Sequence, residues 1–168
     1  MRSSRATFLL LSLLLIAIAA GWWWFSRSNQ NVVSNTITVY YTKTDGTTEV
    51  PWTISMGPAR DLRSVLFYAA TQAVAGPAST NDAIRFPTGT HVLGVNVDER
   101  IADVDLSGEV KSLSGGSLGE TGEFKSLVWT LTKISGIDGV RVRVDGMRLD
   151  ALPGGHLELD KPLKRSDW

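Results

Sequence analysis

The apolar and polar positions of this 168-residue chain fall into one long uncharged stretch and a series of short patterned segments. Ala6 to Phe25 are twenty consecutive positions without a charge. As a helix, twenty residues would span about 30 Å, the hydrocarbon thickness of a bilayer. Beyond this stretch the periods shorten. Thr36 to Tyr41 alternates and is β-rich, Asp45-Gly46 is a turn signal, and Thr47 to Ile54 reads as the return strand of a hairpin. Pro51 predicts an edge position for that second strand, where its missing N–H does no harm. The pattern then changes to a helical one. Leu62, Val65, Leu66, Ala69 and Ala73 form one stripe, Pro58 opens the helix, and Gly76-Pro77 ends it.

Phe86-Pro87-Thr88-Gly89 is a turn, and Thr90–Val97 and Ile101–Leu106 read as a second antiparallel pair. In the latter strand Ala102, Val104 and Leu106 share one face, and Asp103 and Asp105 the other. Ser112 to Gly122, with four Gly and three Ser, reads as a loop. A second helix is predicted from about Gly122 to Lys133, with Phe124, Leu127, Val128 and Leu131 as its stripe. Gly139 to Val144 is a strand with Val140, Val142 and Val144 inward and Arg141 and Arg143 outward. Asp145-Gly146 turns it into Met147–Leu149. The order ββ-α-ββ-α-ββ predicts an α+β fold, an antiparallel or mixed sheet with two helices packed on one face, preceded by one N-terminal transmembrane helix.

The resulting division is a cytoplasmic N-terminus (1–5), a membrane segment (6–25), a polar linker (26–35), a domain (36–150) and a C-terminal tail (151–168). Two readings fit the N-terminal segment. Arg2 and Arg5 precede it and Trp22, Trp23 and Trp24 close it, as in an uncleaved signal anchor with everything after Arg27 outside the cytoplasm. Ala17-Ile18-Ala19 would serve as the cleavage site of a signal peptide, which would release a secreted domain. The Trp triplet favours the anchor, because a cleaved chain would begin with three exposed indoles. In the tail, Leu157 and Leu159 suggest a short edge strand, and the remaining Pro, Gly and charged residues suggest disorder.

Composition narrows the chemistry. Arg2, Arg5 and Arg27 belong to the anchor region, which leaves 14 basic against 17 acidic residues, a net of −3. That balance argues against a nucleic-acid surface. The chain has no cysteine, so disulfides, thiolate sites and lipid modification on cysteine are excluded. Gly115-Gly116-Ser117-Leu118-Gly119 matches the G-x-S-x-G pattern, with Asp145 and His156 following in the order of an α/β-hydrolase triad. That nucleophile needs a strand running into the turn and a parallel sheet behind it. A Gly/Ser loop meeting the pattern by chance is the simpler account of Ser117. The same loop lacks the Lys-Ser/Thr pair of a phosphate cradle. Asp103 and Asp105 could act as paired carboxylates or hold Ca²⁺. Arg141 and Arg143 offer a plainer role for them, as cross-strand ion pairs. His91 and His156 are too few and too far apart for a metal set. Trp52 and Trp129 stand between core edge and partner surface.

The ordered segments Thr38-Val39-Tyr40-Tyr41, Gly76-Pro77, Phe86-Pro87-Thr88-Gly89-Thr90, Ala102-Asp103-Val104-Asp105-Leu106-Ser107, Leu127-Val128-Trp129-Thr130-Leu131-Thr132, Gly139-Val140 and Val144-Asp145-Gly146 resemble the GerMN domain family. The resemblance implies an extracytoplasmic, envelope-associated domain without established catalytic activity, of a kind also similar to domains of actinobacterial lipoproteins. The chain departs from the GerM pattern in having one copy of the domain and no lipidated cysteine. The expectation is a non-catalytic interaction domain of the bacterial envelope, without catalytic residues, metal or cofactor. Its partners would be envelope proteins or cell-wall glycan, and the process sporulation, germination or cell-wall metabolism. The rival is an envelope hydrolase using Ser117 or Asp103/Asp105.

Overall fold

A computed structural model describes Ala20 and residues 36–58, 61–112, 116–153 and 155–168. The membrane segment predicted over 6–25 lies outside the described residues apart from Ala20. Among the described residues no helix is long and apolar enough to cross a membrane. Thr36–Trp168 forms one compact unit.

The element order matches the expectation: β1 (Thr36–Thr42), β2 (Glu49–Ser55), α1 (Leu62–Ala75), β3 (Val92–Asp98), β4 (Ile101–Leu106), α2 (Gly116–Leu131), β5 (Gly139–Val144) and β6 (Met147–Arg148). The strands make two sheets rather than the single one predicted. β1 and β2 form an antiparallel hairpin, and a second sheet has the order β3-β4-β5-β6. Within the second sheet β4 and β5 run parallel, Asp103 facing Arg141 and Asp105 facing Arg143. The outer pairs β3–β4 and β5–β6 are antiparallel.

Two sheets arise because α2 presents two different sides. Phe124, Leu127, Val128 and Leu131 are fully buried in the common core. Gly122, Ser126 and Thr130 lie roughly 150° round the helix at 3.6 residues per turn. They face β1 instead. The Tyr40 N–H donates to Thr130 Oγ1 at 2.9 Å and the Thr42 N–H to Ser126 Oγ at 2.9 Å. Thr42 Oγ1 lies 2.8 Å from the Gly122 carbonyl. Two strand residues advance about 6.8 Å and four helical residues about 6 Å, so a strand edge and an i, i+4 row of hydroxyls stay in step. The outer edge of β1 is thus satisfied by side chains of a helix.

The second helix starts at Gly116 rather than near Gly122, so half of the predicted Gly/Ser loop is helical. Gly122 is there for close approach. A Cβ on it would stand 2.4 Å from Ile84 Cδ1. The first helix begins at Leu62 with Asp61 as its cap, Oδ1 accepting from the Ser64 N–H at 2.8 Å, so Pro58 does not open it. Leu66, Ala69 and Ala73 of the predicted stripe are buried, whereas Leu62 is 41% exposed. The tail is ordered where it is described. Leu152, Leu159 and Leu163 are buried, and Leu163 bridges to Val140 while Ala151 bridges to Glu158.

Candidate functional site

The residues with candidate chemistry lie apart or are already engaged. Ser117 sits exposed in the first turn of α2, not in a loop. The Asp145 carboxylate lies 3.3 Å from Lys111 Nζ, in the β5–β6 turn. His156 is exposed, and its backbone N–H donates to Glu120 Oε2 at 2.8 Å. His91 Nδ1 contacts the Gly89 carbonyl at 2.9 Å. Arg143 Nε donates to Asp103 Oδ1 at 2.6 Å, with Arg141 3.9 Å from the other oxygen. Asp105 Oδ1 accepts from the Gly146 N–H. Both aspartates are thus tied to β5 and its turn, but only Asp103 has the ion-pair role that the facing arginines suggested; Asp105 meets a backbone N–H instead. Among the described residues no three His, Asp or Glu side chains converge as a metal set.

Trp129 lies half-buried in a cluster of aromatic rings and cations. Its ring meets Tyr40 edge-on at 5.6 Å, and the Arg165 guanidinium stands 4.7 Å from its centroid. Arg165 also donates to the Trp129 carbonyl at 2.6 Å and to Thr132 Oγ1 at 2.7 Å, pinning the tail to α2. Lys125, one turn before Trp129, lies 3.5 Å from Glu49 Oε1. The Glu49 side chain is only 4% exposed, and burial pushes its carboxyl above the ordinary value against the hydrogen bond from Thr42 and the charge of Lys125. Trp52, half-buried on β2, lies opposite Val39. These contacts knit hairpin, helix and tail together.

The open surface is elsewhere. Among the described residues the large apolar side chains most exposed to solvent are Leu62, Phe67, Leu93, Val97, Leu118 and Met147. The first four gather where α1 runs beside β3. Phe67 and Leu93 border a groove of about 440 Å³, and Leu62 and Val97 border an adjoining one of about 460 Å³. Arg63 lines both. β3 is the terminal strand of its sheet, and between Val92 and Gly94 its register against β4 slips, with Leu93 as the extra residue. Asp61 at the groove's end holds its carboxyl below the ordinary value through the Ser64 backbone bond. Sequence reasoning passed over this site. Its signals were Phe67, a large aromatic off the α1 stripe, and the adjacent apolar pair Val92-Leu93, which breaks the alternation of the strand.

The fold defines the class: an α+β domain of two sheets and two helices, with exposed apolar side chains along the β3 edge. The Germane family model, described as sporulation and spore germination, matches residues 38–150. The chain belongs to this family. The first GerMN domain of the sporulation protein GerM from Bacillus subtilis is similar at 27% identity over 79% of this chain and 98% of that one, with a TM-score of 0.63. The tandem GerMN domains of the same protein give 26% identity, 79% and 47% coverage and a TM-score of 0.64, so this chain spans about half of that structure. A protein of Clostridium perfringens described as a lipoprotein shares the fold, at 22% identity, with 79% and 88% coverage and a TM-score of 0.56. No curated protein matches the sequence.

Proposed function

We propose that the chain is a membrane-anchored, extracytoplasmic, non-catalytic interaction domain of the bacterial envelope. It would be held by residues 6–25 and engage another envelope protein or cell-wall glycan in sporulation, germination or a related cell-wall process. The observation that carries this reading is the exposed apolar surface of Leu62, Phe67, Leu93 and Val97 on a GerMN-type domain. Apolar side chains gathered in this way on a small domain mark a surface that a partner covers. The anchor reading is supported by the arginines before the uncharged stretch and the tryptophans at its end.

Two measurements test the proposal. A reporter active only in the cytoplasm, fused after Trp168, should be silent, and the chain should fractionate with membranes; strong reporter signal would refute the placement. Phe67→Lys should leave far-UV circular dichroism and thermal midpoint near those of the parent while abolishing crosslinks to envelope components in intact cells. Crosslinks that persist unchanged would remove this surface from the function. A hydrolytic activity of the purified chain that Ser117→Ala or Asp105→Asn destroys, with the fold retained, would replace the reading by the enzymatic one.

A further inference from the structure

We propose that the partner covering the β3 edge is a second copy of this chain, paired strand to strand about a two-fold axis through Val95. The inference rests on the interaction reading above and names the occupant of that surface.

The argument starts from which strand edges remain open among the described residues. The outer edge of β1 is closed by the Ser126 and Thr130 hydroxyls. β2 carries Pro51, which cannot donate to a further strand. β6 is two residues long. β3 has seven residues, none of them Pro, Lys or Arg, and no further strand pairs on its outer side. Folded proteins protect such edges with charge, proline or short length. β3 has only its bulge at Leu93 and Asp98 at its end, and it is bordered by exposed Leu93 and Val97.

Symmetry then limits the register. A two-fold axis perpendicular to the sheet keeps each side chain on its own face, and residues opposite each other in a ladder share a face. The axis must therefore pass through a residue, and the middle of β3 is Val95. Val95 faces Val104 and Val97 faces Ala102 across β4, so both lie on the apolar, helix-bearing side. With the axis at Val95, the exposed Val97 of each copy meets the exposed Leu93 of the other. Phe67, beside Leu93 in the groove, flanks that contact in each copy. On the other face Gly94 meets Asn96, and nothing stands within 4 Å of where a Gly94 Cβ would be. Charge does not interfere: the stretch from Leu93 to Val97 carries none, so no like charges oppose one another within the ladder. An edge in which each exposed apolar residue finds another, and no charge finds its like, matches a second β3 better than an unrelated strand.

The test is register-specific crosslinking of the full chain. The chain has no cysteine, so only introduced thiols react. Leu93→Cys and Val97→Cys chains carrying different tags are co-expressed, and membranes are treated with a mild oxidant. Opposite residues of an antiparallel pair have Cα atoms about 4.5–5.5 Å apart, within disulfide reach, whereas Leu93 and its own counterpart would be about 14 Å apart along the strand. The expected result is a disulfide-linked dimer carrying both tags, and none from either variant alone. Gly94→Cys with Asn96→Cys provides a second opposed pair should the bulge at Leu93 hold its thiol off line. Absence of the mixed dimer with both pairs overturns the second copy as occupant, as do dimers that form equally well in single-variant membranes. If the mixed dimer is absent while Phe67→Lys still abolishes crosslinks to another envelope component, the self-pairing falls and the interaction reading stands.

Discussion

Ser126→Ala tests the central joint of the fold, the docking of a strand edge onto helix hydroxyls. Ser126 is 3% exposed and Thr42 is fully buried. The Ser126 hydroxyl donates to the Gly122 carbonyl at 2.8 Å and accepts the Thr42 N–H at 2.9 Å. Removing it costs the Gly122 carbonyl little, because that carbonyl lies within α2 and keeps its helical backbone bond. The Thr42 N–H has no such reserve: alanine leaves a buried donor facing a methyl group, a loss of about 1–3 kcal/mol. At a central value near 2 kcal/mol, a domain of this size should lose about 6–10 °C in thermal midpoint. Thr71→Ala is the control. Its hydroxyl makes the same kind of bond to the carbonyl four residues back, to Phe67 at 2.8 Å, but at an exposed position. Its loss should stay within about 0.5 kcal/mol. Urea unfolding of residues 36–168 gives both values, and amide exchange should quicken first at Thr42. If Ser126→Ala is no worse than Thr71→Ala, the strand edge does not depend on the hydroxyl and the account of two sheets is wrong.

Leu66→Ala and Leu131→Ala, both at fully buried positions, should each cost about 2–5 kcal/mol in urea unfolding, and a loss below about 1 kcal/mol at both would contradict the core assignment. Because burial raises the Glu49 carboxyl above its usual 4.5, the folded state keeps this proton to higher pH than the unfolded state. The Glu49 contribution to stability is therefore full below that value and lost as pH rises through the raised one. The stability of Glu49→Gln relative to the parent should accordingly increase between about pH 4 and 7, and a flat difference would refute the shift. Arg165→Ala should free the tail from Trp129 and Thr132, seen as faster proteolysis after Leu163 and altered tryptophan emission; unchanged digestion would show that the tail is held without it.

Strand positions were legible because alternation is a local signal. β4 and β5 fall where Val104 and Val142 alternate with Asp103 and Arg141, within the predicted bounds. The pairing of Asp103 with Arg143 was legible too, as it needed only that the two strands be neighbours. What failed was local evidence read against a long-range cause. Gly116, Gly119 and Gly122 lower helix propensity, so a loop was the natural expectation. The helix forms regardless, since Gly122 lets Ile84 approach where a Cβ would collide. Ser126 and Thr130 lie off the apolar stripe of that helix, yet both are buried. The tail appeared disordered from its Pro, Gly and charge, yet Leu152, Leu159 and Leu163 each found a place in the core. The α1–β3 surface was missed for another reason: exposure is a property of the packed whole, and nothing in Leu93 or Val97 alone separates them from core residues of the same strand.

The two kinds of edge in this domain explain each other. A strand edge is a row of unpaired donors and acceptors, and it must be met by water, by another strand or by side chains. β1 could not be left to water, because Ile37, Val39 and Thr42 are buried beside α2. The sequence meets that need with Ser126 and Thr130, and Gly122 brings the helix close enough for the bonds to form. Among the described residues no comparable row stands beside β3. The helix running there, α1, carries Arg63, Ser64 and Phe67 toward the groove and leaves it open. Among the described residues the chain therefore closes the β1 edge with a row of hydroxyls and leaves the β3 edge bordered by exposed apolar side chains. An edge left to water would be expected to carry charge along its length, and β3 carries it only at Asp98. That asymmetry is the physical ground for proposing β3 as the contact surface ahead of the aromatic cluster of Trp129, where Tyr40 and Arg165 already occupy the rings.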